Sequence, residues 1–441
     1  MRRRSKSDLP PPPDLPSFTI EPEEGEVPPV EERHASTGLV RHDAVLDEEG
    51  IDPDAAKVVR RLERAGYQAY LVGGCVRDLL LGGRPKDFDV ATSARPDDVR
   101  ALFRNCRIIG RRFRLAHVLF GGGKVVEVAT FRRNPAEPLA DEDDDLLIRS
   151  DNVFGEAHED ALRRDFTINA LFYDLDRRQV LDWCGGMPDI QARNIRTIGD
   201  PGVRFREDPV RILRAVKFAA RLDLGIAPPV YDAMVGNRGE LARAARPRVF
   251  EEILRLMRAG ASHRSMWLLW EMGAMAILLP ELSAFLDDDE ATEDGSLRFY
   301  RMMTLLDRKT REDGALDDVV LMTALLYEPL AEAVSGVRDV MGAVNDFLDP
   351  VIERIAMPRR IADAIRRIMF MVPRIAAGKV GRFARTELYL PALDVAELVL
   401  AARGRNTAAI VALRREALPP PPARDNRRPP SAFPRQRGAR R

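Results

Sequence analysis

Residues Leu71 to Val90 read LVGGCVRDLLLGGRPKDFDV, and this stretch decides the fold of the first half of the chain. A short apolar run, Tyr70-Leu71-Val72, ends in Gly73-Gly74. A helix near 76–81 follows, then a second short strand, 87–91, carrying Asp87 and Asp89 around Phe88. Residues two apart on a strand point to one face. The two carboxylates therefore project together while Phe88 points into the core. Adjacent carboxylates repel unless a cation lies between them. Hard oxygen ligands at this spacing suit Mg²⁺, which keeps some waters and accepts phosphate oxygens. The glycine pair lets backbone N–H groups come close to a phosphate. Gly-Gly and Asp-x-Asp are each common in turns. Joined in this order by an amphipathic segment, they form a far more specific pattern.

Around this motif the periodicity predicts an α/β unit. Asp54 to Ala65 is helical, with Val58, Val59 and Leu62 on one face and a stop at Gly66. Pro96 to Phe103 starts another helix with Pro early. Leu115–Phe120 and Val125–Phe131 read as a hairpin across Gly121-Gly122-Gly123. Polar residues 134–150, with DEDDD at 141–145, read as a mobile loop. Strand-like residues return at 170–175 and 179–183. The expected head is a small mixed or mostly antiparallel sheet with helices.

From about 205 the pattern becomes all-helical. Amphipathic segments run over 208–222, 229–245, 248–259, 263–275, 297–307 and 316–328, with less regular helices from 337 to 415. A flexible acidic insert is expected at 287–295. Both ends are expected to be disordered: a Pro-rich leader over 1–40 and a Pro- and Arg-rich tail over 418–441. Residues 424–441 hold seven Arg against one Asp. Such a block is a solvated tail or, beside an enzyme of nucleic acid, a phosphate contact.

Composition excludes several classes. With 69 basic and 69 acidic residues among 441, bulk charge makes no argument for nucleic acid, so any basic surface is local. Cys75, Cys106 and Cys184 form no CxxC, which fits a reducing compartment and argues against a cysteine zinc site. None of the five histidines is paired at i, i+4. No apolar run reaches the roughly 18 residues of a membrane span, and the N-terminal arginines precede no apolar signal segment. The cytoplasm is the expected compartment.

Four further constellations carry chemistry. In Arg163-Arg164-Asp165-Phe166-Thr167-Ile168-Asn169-Ala170, two arginines beside an acid lead into an apolar strand. The arginines can hold triphosphate oxygens, and Asp165 can accept from a ribose hydroxyl or join the acidic cluster. Glu207-Asp208-Pro209-Val210-Arg211 opens a long helix. Asp208 is an N-cap before Pro at N1, or it shares a face with Arg211 so that the pair reads a base edge. Gly110 to Val118 places Arg111, Arg112 and Arg114 before a strand, as a solvated loop or an RNA or triphosphate contact. Glu127 alternates with Val126 and Val128, so it is either a third carboxylate facing Asp87 and Asp89 or a half-exposed edge residue. His117 by itself reads more readily as a packed histidine than as a catalytic one.

Together, Gly73-Gly74 with Asp87-x-Asp89, the RRDFTINA run and the EDPVRILRAVKFAARL run resemble the class II tRNA nucleotidyltransferase and bacterial poly(A) polymerase family, from about Asp54 to about Pro280. GRRFRLAHV at 110–118, RSDNVFGEAHEDALRRDFT at 149–167 and RPRVFEEILRLMRAG at 246–260 resemble its poly(A) polymerase branch. The resemblance implies a nucleotidyltransferase head at 41–200, a neck at 201–262 and a body and tail at 263–417, the helical parts binding nucleotide and RNA. It implies template-independent transfer of AMP from ATP to RNA 3′ ends, with RNA decay as the outcome. CCA addition to tRNA is the rival, and a catalytically idle RNA-binding protein is a rival of another class. Asp87 and Asp89 would hold two Mg²⁺ or Mn²⁺ ions, with Glu127 as a further ligand, and Asp165 would complete the catalytic set. Gly73, Gly74, Arg77, Arg163, Arg164, Asp208 and Arg211 would bind nucleotide. Arg111, Arg112, Arg114, Arg214, Arg427, Arg428, Arg435, Arg437, Arg440 and Arg441 would bind RNA. RNA-decay or RNA-chaperone proteins are candidate partners, and a monomer suffices.

Overall fold

The computed structural model describes residues 38–43, 46, 48–110, 114–133, 153–288 and 293–417. The leader to residue 37, Arg111 to Phe113, the acidic segment 134–152, residues 289–292 and the tail 418–441 lie outside the described residues. Arg111, Arg112 and the six tail arginines expected at the RNA therefore lie outside them too.

Among the described residues there are twelve strands, all but the last of them in the first half of the chain before α6. In chain order they are β1 (Val40–Asp43), β2 (Ala69–Val72), β3 (Asp89–Thr92), β4 (Cys106–Ile109), β5 (Leu115–Leu119), β6 (Val125–Thr130), β7 (Arg132–Arg133), β8 (Val153–Phe154), β9 (Phe172–Asp174), β10 (Gln179–Asp182), β11 (Asn194–Ile195) and β12 (Gly225–Ile226). Eight form the main sheet, in the order β1-β10-β9-β2-β3-β6-β5-β4. Every neighbour pair in it is antiparallel except β3 with β6, so the sheet is mixed and mostly antiparallel, as expected. Head helices are α1 (Pro53–Arg64), α2 (Gly74–Leu80), α3 (Pro96–Leu102), α4 (Ala157–Leu162) and α5 (Gly186–Gln191). Helix α1 starts where the Asp52 carboxylate accepts from the Asp54 and Ala55 amides at 2.8 and 3.0 Å, with Pro53 at N1. Its Val58, Val59 and Leu62 close the core face of the sheet. On the opposite face Val72, Ala91, Phe131, Phe172 and Leu181 form a smaller apolar cluster.

The rest is helical. The next helices are α6 (Pro201–Glu207), α7 (Val210–Leu222), α8 (Pro228–Asn237), α9 (Arg246–Arg258), α10 (Ser262–Glu271), α11 (Met275–Leu278) and α12 (Pro280–Asp287). Then come α13 (Glu293–Asp313), α14 (Asp318–Ala333), α15 (Val340–Ile355), α16 (Arg359–Ala376), α17 (Tyr389–Ala402) and α18 (Ala408–Glu416). Helix α7 packs on α9 and α10, and α13, α14, α16 and α17 pack together.

Five expectations need correction. Strand β1 begins at Val40, inside the expected leader, because it completes the sheet against β10. Strand β3 begins at Asp89, so Asp87 lies just before it, although buried Phe88 continues the alternation. Thr167–Asn169 is a 3-10 turn between the RRD run and β9, so Asp165 does not lead straight into a strand. Asp208 ends α6 and makes no capping bond to α7; its carboxylate is taken by Arg248. The insert at 287–295 is shorter than expected, since Asp287 closes α12 and α13 starts at Glu293.

Candidate active site

The β2–α2 turn positions the first half of the site. Gly73 takes φ +72°, a conformation that glycine adopts without strain. A Cβ at Gly73 would lie 2.8 Å from Arg164 Nη1, so the missing side chain is also what admits that guanidinium. Arg164 Nη1 donates to the Asn169 carbonyl at 3.2 Å, its Nε and Nη2 donate to Asp160 at 3.3 and 3.0 Å, and it lies 5.1 Å over the Phe172 ring. Arg163 Nε donates to the same Asp160 at 3.1 Å. Burial pushes the Asp160 carboxyl up, but Arg164 and Arg163 outweigh it and hold it below the usual range. One buried aspartate therefore aims both arginines. The spacing EDALRR at 159–164 contains that signal, since Asp160 lies one helical turn before the pair.

The acidic half lies beside it on the sheet. Asp89 on β3 is directly paired with Glu127 on β6, and Glu127 with His117 on β5. His117 Nε2 lies 3.5 Å from Glu127 Oε1. Asp87, Asp89 and Glu127 are exposed at the surface, and neither Asp87 nor Asp89 forms an ion pair among the described residues. Even so, surrounding protein removes enough water from Asp89 to push its carboxyl up to about 6, with repulsion from Glu127 and Asp87 adding and Arg164 opposing. Among the described residues no three His, Cys, Asp or Glu side chains are already gathered as a closed metal site. The open acidic patch nevertheless fits a hard divalent cation that draws its other ligands from water and phosphate.

The seam where α7 meets Asp165 holds the remaining candidates, and here charge is paired. Asp165 is 8% exposed and accepts from Asn169 Nδ2 at 2.9 Å, from its neighbour's amide at 2.9 Å and from Arg214 Nε at 2.6 Å. Burial alone would raise its carboxyl. The Arg214 charge and these hydrogen bonds reverse that and hold it at about 2. Arg214 on α7, expected at the RNA, thus spends its guanidinium on Asp165. Arg77 is 3% exposed, donates to Asp78 and to Asn169 Oδ1, and lies 4.7 Å over the Phe218 ring. Arg211 is 7% exposed and donates to the Arg204 carbonyl and Glu207 at 3.0 and 2.9 Å. Arg77 is thus bonded through all three guanidinium nitrogens, and Arg211 through Nη1. Asp208 pairs with exposed Arg248 of α9 at 2.8 Å rather than with Arg211. Arg114 is exposed and pairs with Asp97 at 3.2 Å. Sequence reasoning missed Asp160, Arg248 and Arg204. The last donates from α6 to the Arg163 and Arg164 carbonyls at 2.9 and 2.6 Å.

A Gly-Gly turn, two arginines held by one aspartate and an exposed acidic patch on two central strands, on a mixed sheet followed by helices, define a nucleotidyltransferase. A family model described as the poly A polymerase head domain matches residues 69–196, and one described as the probable RNA and SrmB-binding site of polymerase A matches residues 223–286. Poly(A) polymerase I of Salmonella typhimurium is 40% identical over 365 residues, covering 78% of this chain and 77% of the relative. Poly(A) polymerase I of Haemophilus influenzae is 38% identical over 332 residues, 72% of this chain and 73% of the relative. A CCA-adding enzyme of Geobacillus stearothermophilus is 38% identical over 225 residues, about half of each chain: 51% and 54%. A solved Bacillus stearothermophilus CCA-adding enzyme in complex with CTP superposes with a TM-score of 0.56 at 29% identity, covering 83% of this chain and 82% of that one. The chain belongs to the bacterial poly(A) polymerase I family, and it is a polynucleotide adenylyltransferase.

Proposed function

We propose that the protein extends generic RNA 3′ ends with AMP, in the cytoplasm, through the site bounded by Gly73-Gly74, Arg163-Arg164 and Asp87-Asp89-Glu127. The observation that carries this reading is the in-register pairing of Asp89 with Glu127 on two central strands of the sheet, beside Arg164. The RNA 3′-oxygen bonds to the α-phosphorus of ATP, the bond from that phosphorus to the β-phosphate oxygen breaks, and pyrophosphate leaves. The hydroxyl proton passes to water. Mg²⁺ held by Asp87 and Asp89, with Glu127 as a further carboxylate, would acidify the hydroxyl and neutralise the triphosphate. The backbone at Gly73-Gly74 and the two arginines hold phosphate oxygens, with Asp160 fixing the arginines so that little ordering is left for the moment of reaction. Asp208, oriented by Arg248, accepts from the adenine amino group.

Extension assays with ATP and CTP, singly and together, on an unstructured RNA and on a tRNA lacking its CCA end, test this. Long ATP-only tails on the unstructured RNA support the reading. Two C and one A added only to the tRNA would transfer the chain to the CCA-adding branch.

A further inference from the structure

Helix α16 and the 3-10 turn Gly381–Arg385 concentrate positive charge in a chain whose net charge is zero. From Arg359 to Arg385, eight Lys and Arg stand against one acid, Asp363. The inner face of α16 is closed: Ile361, Ile365, Ile368 and Ile375 are at most 3% exposed, packed toward α14 and α17. The outer face presents Arg360, Arg367 and Arg374 at seven-residue steps, all exposed. Phe370, 36% exposed, stands between Arg367 and Arg374 on the same stripe. The turn folds back so that Phe383 lies 5.5 Å from the Arg374 guanidinium, which adds exposed Arg382 and Arg385 to the patch. Arg366, by contrast, is pinned by Asn345, Asp349 and Asp363, which locks α15 against α16. That pairing brings Met341, 50% exposed one turn before Asn345, level with Phe370 one turn after Arg366. Among the described residues no carboxylate lies within ion-pair reach of Arg360, Arg367, Arg374, Arg382 or Arg385.

This arrangement costs stability. Arg359 and Arg360 occupy the first turn of α16, where the helix dipole favours an anion. The one acid there, Asp363, is engaged by Arg366. We propose that this face binds single-stranded RNA upstream of the 3′ end that the head extends, and the inference rests on the RNA substrate proposed above. Phosphates match the cations, and the ring and thioether between them suit unstacked bases, which a duplex does not offer. A membrane surface is disfavoured because the apolar side of α16 is already buried in the protein.

The test uses the full chain with Arg367, Arg374, Arg382 and Arg385 all changed to Ala, the same four changed to Lys, and Phe370→Ala separately. Binding of an unstructured RNA of about 40 nucleotides, of a duplex and of anionic vesicles is followed across a salt series. Extension with ATP is compared on RNAs of about 40 and about 8 nucleotides, above and below the length that spans both the head and this face. The Ala variant is expected to bind the long RNA about 10-fold or more weakly. Its salt slope should be shallower by about 3, at roughly 0.7 per lost phosphate contact. KM for the long RNA rises with it, while kcat and the short RNA are unaffected, and the Lys variant regains the slope. Phe370→Ala weakens single-strand binding about fivefold or more and leaves the duplex unchanged. The inference is overturned if affinity and slope do not move, if short and long RNA suffer equally, or if only vesicle or protein binding is lost. Failure of the unmodified protein to extend any RNA would defeat the proposed activity alone, since the binding arm still reads this surface.

Discussion

The acidic patch on β3 and β6 and the seam where α7 meets Asp165 lie next to each other and treat charge in opposite ways. At the patch, Asp87, Asp89 and Glu127 face one another's charge, and Asp89 is raised to about 6 by lost water and then by its acidic neighbours. At the seam, Asp165 is buried, bonded on every side and held at about 2. Glu252 of α9, 4% exposed, is met there by Lys217 at 3.2 Å and Arg255 at 2.6 Å. Among the described residues Asp87 and Asp89 have no cationic partner and are left for substrate and cation, whereas paired charge at the seam ties α7 to Asp165 and to α9. Both are built from residues of the same type, so environment and not identity assigns the roles.

The sharpest way to break this contrast is to neutralise the patch. Asp89→Asn is expected to lower AMP transfer by about 1,000-fold or more, several kcal/mol of lost charge stabilisation. Its thermal midpoint should stay level or rise, because a repulsive neighbour of Glu127 is gone. Single-turnover extension and a melting curve together decide it; a protein that melts markedly earlier would make Asp89 a structural group.

The seam should respond in the reverse sense. Among the described residues Asp165→Ala leaves the half-buried Arg214 guanidinium with only Glu252, 4.0 Å away, and is expected to cost about 2–3 kcal/mol in denaturant unfolding. pH gives a second reading of the same residue. The Asp165 pKa is lower folded than unfolded, so its contribution of roughly 2 kcal/mol is complete above about pH 4 and is lost as pH falls toward 2. Acid unfolding of Asp165→Asn should lack this component; an unchanged acid limb would refute the pairing as a source of stability.

These contrasts also mark what was legible in the sequence. Strand and helix periods located β2, β3, β5, β6, β9 and β10 and the long helices, because each buries one stripe. Asp87, Asp89 and Glu127 were readable because a strand that buries its alternate residues must turn the carboxylates between them to the other face. What stayed hidden were partners across the fold. Nothing near Arg214 announces Asp165, 49 positions away, and nothing near Asp208 announces Arg248. The bonds that bury Arg77 could not be read, because a buried, fully bonded arginine and a free one look alike in sequence. Strands β1 and β4 were missed because each pairs on one side only and carries a weak apolar pattern.

Smaller effects refine the comparison. Arg248→Ala frees Asp208 and is expected to narrow the preference for ATP over CTP about 10-fold, read as a ratio of kcat/KM values. An unchanged ratio would assign Arg248 to the surface. Glu127→Gln, which keeps shape and removes one charge, is expected to lower kcat about 10-fold, the low end for a group that supports a metal site, and to bring the Asp89 carboxyl back toward its ordinary value. Carboxylate titration followed by NMR checks the second part, and an unmoved Asp89 would break the link between the two strands.

Because β3 and β6 run parallel, the chain must complete α3, β4 and β5 before Glu127 can lie down beside Asp89. A nascent chain that has emerged only as far as Thr92 carries both aspartates without the strand that gathers a third carboxylate next to them. Asp165 then waits for α7 to deliver Arg214. A fragment that stops before Arg214 is therefore expected to transfer no AMP to RNA, and a truncation series assayed for extension would place the point in synthesis at which the site is complete.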